Sequence, residues 1–336
     1  MSLIIPRKYK QKLLAETTEV AIKSIKDAFQ IKLAEALNLR RVTAPLFVLS
    51  GTGLNDNLNG VEQPVSFNIA CMGGRKAEVV HSLAKWKRTK LAAYDIAPGY
   101  GLYTDMNAIR TSEDLDNLHS LYVDQWDWEQ TIRPEDRNLD YLKATVKKIY
   151  NAVREVEMMI YKQFPHITPQ LPENLKFIHT EELLREYPNL SAKDRETEAA
   201  RKYGAIFLIG IGAALSSGEP HDGRSPDYDD WITPNSDGYT WNPILETGFE
   251  LSSMGIRVDS ESLKQQLSIR NAEDRLALNF HKSLVGGELP ASMGGGIGQS
   301  RLCMFLLQKA HIGEVQASIW PEDQIKACKE AGIELI

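Results

Sequence analysis

The residues in this chain best suited to chemistry are charged side chains set among glycines. The string Gly294-Gly295-Gly296-Ile297-Gly298-Gln299-Ser300-Arg301 is a GxGxGxxR pattern that opens a helix. Small residues let the backbone approach a flat ligand closely, and an Arg in the first helical turn offers a fixed guanidinium to a base face or a phosphate. In the middle of the chain, Asn107 to Glu113 (NAIRTSE) places Arg110 three residues before Glu113. Strand alternation over Leu121 to Trp128 (LYVDQWDW) puts Gln125 and Asp127 on one face with Val123 and turns Tyr122, Trp126 and Trp128 to the other. Read as a strand, Ile244 to Ser253 puts Glu250 and Ser252 on one face by the same period.

Other chemistries fail on inspection. Ala205 to Leu215 (AIFLIGIGAAL) runs a strand into GxG, but Leu215 stands where the third glycine of a dinucleotide-binding turn belongs. No GxxxxGK[ST] string is present, which excludes a P-loop. His81 beside Ser82 invites a hydrolase reading, yet there is no GxSxG elbow, and adjacent strand residues point to opposite faces. Cys71, Cys303 and Cys328 share no CxxC spacing, so neither a disulfide framework nor a zinc site is indicated.

Composition narrows the class further. The 336 residues carry a net charge of −6, with 43 % hydrophobic and 25 % charged side chains, as in ordinary globular proteins. An acidic chain is a poor candidate for binding nucleic acid by phosphate neutralisation. The longest apolar run, Ala205 to Leu215, is about half a membrane span. The expectation is a soluble, cytoplasmic protein.

The elements that must position these residues are readable from periodicity. Ile22, Ile25, Phe29, Leu33 and Leu37 mark one amphipathic helix, and Leu142, Val146, Ile149, Val153, Val156 and Ile160 a second. A Gly/Asn-rich loop, Ser50 to Gly60, precedes a hairpin formed by Val65–Ile69 and Glu78–Leu83. Phe164 to Pro172 reads as a linker, Ala205 to Ile209 as a buried strand, and Ser216 to Asn242 as a polar loop long enough to suspect function. GGGIGQSR reads as a turn feeding a helix, Leu302 to Leu307. Strands outnumber what βαβ alternation supplies, so the fold class is α+β, a mostly antiparallel sheet with flanking helices.

Three signals in order, Arg40 to Val48 around Pro45, the Arg110 string and GGGIGQSR, resemble motifs 1, 2 and 3 of the class II aminoacyl-tRNA synthetase catalytic domain. Longer strings resemble the ammonia-dependent aspartate–ammonia ligase (asparagine synthetase) family. They include Asp56 to Gly60 (DNLNG), Val79 to Arg88 (VVHSLAKWKR), Gly101 to Arg110 (GLYTDMNAIR) and His119 to Glu129 (HSLYVDQWDWE). Phe207 to Gly212 (FLIGIG), Ser225 to Trp231 (SPDYDDW) and Trp241 to Asp259 (WNPILETGFELSSMGIRVD) extend the resemblance over nearly the whole chain.

The resemblance implies aspartate, ATP and ammonia as substrates, and asparagine, AMP and pyrophosphate as products, through a β-aspartyl adenylate. It implies Arg110 on the α-phosphate and the attacking carboxylate, and Arg301 at the adenine or outer phosphates, with Ser252 and Gly296 also on the ATP side. Asp237 and Glu250 match acids that hold Mg2+ with ATP. For aspartate, Asp127 and Asp229, with Asp56 and Gln125 nearby, match acceptors for the α-ammonium. Lys87, Ser82, Ser253 and Arg257 match the α-carboxylate site. Arg110, Lys87 and Asp56 are the expected catalytic residues, with Asp56 as the base in the ammonia step. A single catalytic domain spanning 1–336, with a helical insertion near 140–200, is expected to form a homodimer through the Pro45 region, with no nucleic-acid or membrane partner.

Overall fold

The computed structural model describes residues 3–56, 58, 62–231 and 236–336. Part of the Ser50–Gly60 loop (57, 59 and 60) and 232–235 of the long polar loop lie outside these residues.

The first helix, α1 (Ala15–Leu37), buries Ile22, Ile25, Phe29, Leu33 and Leu37 and stops where Asn38 turns left-handed at φ 53°. Strands β1 (Leu39–Arg41), β2 (Phe47–Leu49), β3 (Ser66–Ile69) and β4 (Arg75–Val79) follow, then α2 (Ala84–Ala93). Next come β5 (Gly101–Ile109), β6 (Tyr122–Thr131) and α3 (Leu139–Gln163), which Asn138 caps by accepting from the Tyr141 amide. The stretch expected as a helical insertion holds most of α3, then β7 (Lys176–His179), α4 (Thr180–Glu186) and α5 (Ala192–Tyr203). After β8 (Ala205–Ile209), β9 (Ser236–Asn242) and β10 (Thr247–Ile256) come α6 (Ser260–Ile269), α7 (Asn279–Val285), β11 (Ser292–Gly298), α8 (Gln299–Leu306) and α9 (Glu322–Glu330).

Eight strands form one sheet in the order β1-β5-β6-β11-β10-β9-β8-β7. Its end pairs, β1/β5 and β7/β8, are parallel, and every pair between them is antiparallel. This is the α+β architecture with a mostly antiparallel sheet. A separate three-stranded sheet, β2-β4-β3, stands beside it. On one face of the large sheet α1 and α3 build the main core, where Phe29 meets Trp126 at 4.7 Å between ring centroids. The opposite face carries polar residues and the cavities described below. Among the described residues no helix is long and apolar enough to cross a membrane.

Three local expectations are corrected. The hairpin strand expected to reach Leu83 ends at Val79, so His81 and Ser82 lie in the connection to α2 and not in a strand. Gly294–Gly298 is not a turn but part of β11, held between β6 and β10. The polar loop expected to run to Asn242 gives way at Ser236 to β9, whose pairing with both β8 and β10 outweighs its polar composition.

Candidate active site

The floor of the site is backbone. On β11, Gly294, Gly296 and Gly298 fall on the polar face, while Met293 and Ile297 are buried on the helical side. A Cβ on Gly296 would stand 2.3 Å from Gln125 Oε1, and one on Gly294 would stand 2.1 Å from Glu129 Oε2. The neighbouring strand therefore leans its side chains across the space that the glycines leave.

Beside that floor, on the same polar face, lies a buried charge layer. Lys87, from α2, pairs with Asp127, donates to the Trp128 carbonyl at 2.8 Å and lies 3.8 Å from Glu129. Burial lowers the Lys87 pKa, against the pull of Asp127 and Glu129. Arg257 reaches Glu129 at 3.0 Å and Asp229 at 2.6 Å, with its guanidinium 4.3 Å from the centre of the Tyr228 ring. Ser292 also donates to Glu129, at 2.8 Å. Each charge has a partner, as burial requires.

Arginines and carboxylates make the walls. Arg224, between β8 and β9, pairs with Asp237 and donates to Ser253 Oγ at 3.1 Å. Arg301, at the start of α8, reaches both the Glu250 carboxylate and the Glu250 carbonyl at 3.1 Å. Arg110, just past β5, lies 3.5 Å from Glu113. Burial and the nearby Glu250 push the Asp237 carboxyl up to about 7, against Arg224. Glu250 goes the other way: against the desolvation of its half-buried carboxylate, Arg301 and Arg224 hold it below the usual range. Burial also raises Asp56, with Asp227 adding to the effect and Lys85 opposing it.

One cavity of about 1130 Å3, counting its open mouth, gathers Asp56, Ser82, Arg110, Gln125, Asp229, Asp237, Glu250, Ser253 and Gly296. Arg301 lines an adjoining recess together with Arg110, Gln125, Glu250 and Gly296. Lys87, Asp127 and Arg257 are not on the cavity wall; they lie in the charge layer beside it and meet it through Glu129, Asp229 and Tyr228. The shared face expected for Glu250 and Ser252 is overturned. A bulge between them breaks the period of two, so Glu250 and Ser253 face the cavity together. Ser252 runs along the recess, but its hydroxyl points to the helical face, 2.7 Å from where a Cβ of Gly238 would stand.

Sequence reasoning missed Arg224 and Tyr228. The one available signal was the length of the polar loop that carries both. Nothing in their local spacing marks them.

A family description of aspartate–ammonia ligases matches residues 16–332. The aspartate–ammonia ligase of Bacteroides thetaiotaomicron is 58 % identical, with 99 % of each chain covered. That of Clostridium perfringens is 57 % identical over the same shares. The chain belongs to the aspartate–ammonia ligase family. Among solved structures, asparaginyl-tRNA synthetase from Pyrococcus horikoshii, complexed with asparaginyl-adenylate, aligns with a TM-score of 0.65 at 15 % identity, covering 91 % of this chain and 70 % of that one. Aspartyl-tRNA synthetase from Entamoeba histolytica aligns at 0.61 and 15 % identity, covering 89 % and 58 %. These likenesses show the class II synthetase fold.

For this aspartate–ammonia ligase family member, a divalent ion would fall to Asp237 and Glu250. Among the described residues no cluster of three or more His, Cys, Asp or Glu is arranged to hold a metal by itself. Two carboxylates do suit Mg2+, which keeps several waters and takes its other oxygens from phosphates. Asp237 Oδ1, buried and without a hydrogen-bond partner among the described residues, is a donor atom of the right kind.

Proposed function

We infer that this chain makes asparagine from aspartate and ammonia, using ATP to form a β-aspartyl adenylate and releasing AMP and pyrophosphate. The observation that carries this reading is the convergence of Arg110, Arg224 and Arg301 with Asp237 and Glu250 around a cavity and its adjoining recess, both lined by Gly296. Membership of the family supplies the reaction.

In the first step the aspartate β-carboxylate oxygen bonds to the α-phosphorus and pyrophosphate leaves. Arg110 and Arg301 offset the charge on the phosphates, where preorganised cations act most strongly in a water-poor site. Mg2+, held by Asp237 and Glu250, would neutralise phosphate charge. Asp229 and Gln125 supply acceptors for the α-ammonium of aspartate. Ser82 and Ser253 offer hydroxyls to its α-carboxylate, and Lys87, Asp127 and Arg257 hold the charge layer in place. In the second step ammonia attacks the β-carbonyl carbon, the bond to the AMP oxygen breaks, and the added nitrogen sheds a proton. Asp56 is the acceptor we assign, since a carboxyl raised by burial is a better base.

The chain acts as one catalytic domain in the cytoplasm. It pairs as a homodimer, a reading supported by exposed Leu46 and Phe47 beside Pro45. Light scattering of the purified protein tests the dimer. Product analysis with aspartate, ATP-Mg2+ and either ammonium or glutamine tests the reaction. AMP with asparagine from ammonium alone supports it, whereas ADP formation or a strict need for tRNA overturns it.

A further inference from the structure

Asp56, the base assigned to the ammonia step, sits on a loop that is strapped from behind. Asn55 Oδ1 accepts from the Asp56 amide at 2.9 Å and from the His81 amide at 2.8 Å, while Asn55 Nδ2 donates to the Val79 carbonyl at 3.2 Å. His81 Nδ1 lies 3.2 Å from the Asp56 carbonyl. The Asn55 carbonyl takes a further bond, from Lys85 Nζ at 3.4 Å.

Lys85, in the first turn of α2, is buried. Its ammonium lies 2.8 Å from Asp227 Oδ2, which also takes Arg275 at 3.1 Å and lies 2.8 Å from His281 Nε2. Asp227 Oδ1 accepts from Ser225 at 2.7 Å. One buried cation thus joins the two stretches that bring Asp56 and Ser225 to the wall of the main cleft. Lys85 itself opens on a separate cavity of about 710 Å3, counting its mouth.

The charged and titratable groups around Asp56 come from several elements. Lys85 and His81 approach from α2 and the connection before it, and Asp227 from the segment before β9. Glu62, Asp222, Arg224, Tyr228 and Asp229 share its cavity, among others. Burial pushes the Asp56 carboxyl up, Lys85 pulls it down, Asp227 pushes it up, and the Leu58 amide and His81 pull it down. A general base must bind a proton well yet arrive without one. Burial supplies the first property and works against the second.

We propose that Lys85 is a positioning residue for the ammonia step: it ties the Asp56 loop to Asp227 and sets a positive charge beside a carboxylate that must enter the reaction as an anion. It acts through Asp56 and takes no part in forming the adenylate. This inference rests on the ammonia-dependent reading above.

Two variants test it. Lys85→Gln removes the charge and keeps an N–H donor, and Asp227 retains Arg275 as its cation. Lys85→Arg keeps the charge, and the second cavity gives the longer side chain room. Enzyme loaded with aspartate and ATP-Mg2+ is mixed with ammonium, and a single turnover to asparagine is followed across pH at constant free ammonia. Aspartate-dependent exchange of pyrophosphate into ATP, which needs no ammonia, reports separately on the main cleft. Lys85→Gln is expected to move the acid limb of the turnover rate up by about one pH unit, a loss of about tenfold at the acid end. At the alkaline end it is expected to rejoin wild type, with exchange retained throughout. Lys85→Arg is expected to follow wild type. An unmoved limb, an equal loss at every pH, or exchange lost in step with asparagine formation overturns the assignment of Lys85. If Lys85→Gln fails to fold, Lys85→Arg decides: a wild-type limb supports the assignment and a displaced one overturns it. An acid limb that persists unchanged in Asp56→Asn, or wild-type protein that makes no asparagine from ammonium, overturns the reading beneath it, and the role of Lys85 with it.

Discussion

Lys87 and Asp127, 40 residues apart in sequence, form an ion pair that solvent does not reach. The Leu83 amide also donates to Asp127, at 3.1 Å, so the pair locks the start of α2 onto β6. Breaking a buried pair leaves one charge stranded, which typically costs about 3–5 kcal/mol. Lys87→Met is expected to lower stability by about that much, read as a shifted denaturation midpoint. The double variant Lys87→Met with Asp127→Leu is expected to recover part of the loss, because it strands neither partner.

The bulge on β10 makes neighbouring serines unequal. Ser253 Oγ accepts from Arg224, whereas Ser252 Oγ faces the helical side. Ser253→Ala is expected to weaken aspartate or ATP binding by about tenfold, the usual loss for one hydrogen bond to a charged group. Ser252→Ala is expected to leave KM and kcat close to wild type. Equal effects on steady-state kinetics would place the bulge elsewhere.

Asp237 makes stability depend on pH in the unligated protein. Its carboxyl titrates near 4 when unfolded and is pushed up to about 7 when folded. The folded state therefore prefers the protonated form. This contribution is fully present below about pH 4 and is lost as pH rises through about 7. Asp237→Asn removes the titration, so its melting temperature relative to wild type is expected to rise from pH 4 to pH 8. A constant difference across that range, measured by thermal denaturation without ligands, contradicts this assignment.

Asp56 separates the two halves of the reaction. Asp56→Asn is expected to slow asparagine formation by about 10²-fold or more, the range for loss of a general base. Pyrophosphate exchange into ATP is expected to persist. Normal asparagine formation in this variant removes Asp56 from the ammonia step.

Much of the fold was legible in the chain, and the reasons differ by element. The periodic apolar faces of α1 and α3 were plain because one stripe of each helix is buried. The alternation around Trp126 and Trp128 correctly turned Gln125 and Asp127 to the polar face. Gly294–Gly298 was misread as a turn, since glycine is as useful for sparing space in a strand as for bending a chain. In the basic run KWKR, Lys85, Lys87 and Arg88 are all buried. The ion-pair partners of Lys85 and Lys87 are Asp227 and Asp127, the latter 40 residues away, so no local window reveals them. The bulge defeated a period-of-two argument, and Arg224 matters only through partners that folding brings near.

A platform paved with peptide bonds offers natural selection no handle of its own. Along β11, any residue larger than glycine at 294 or 296 collides with Glu129 or Gln125. Altered preference among nucleotides or amino acids would have to arise in the surrounding rim, from residues such as Arg224 or Ser82, while the pavement stays as it is.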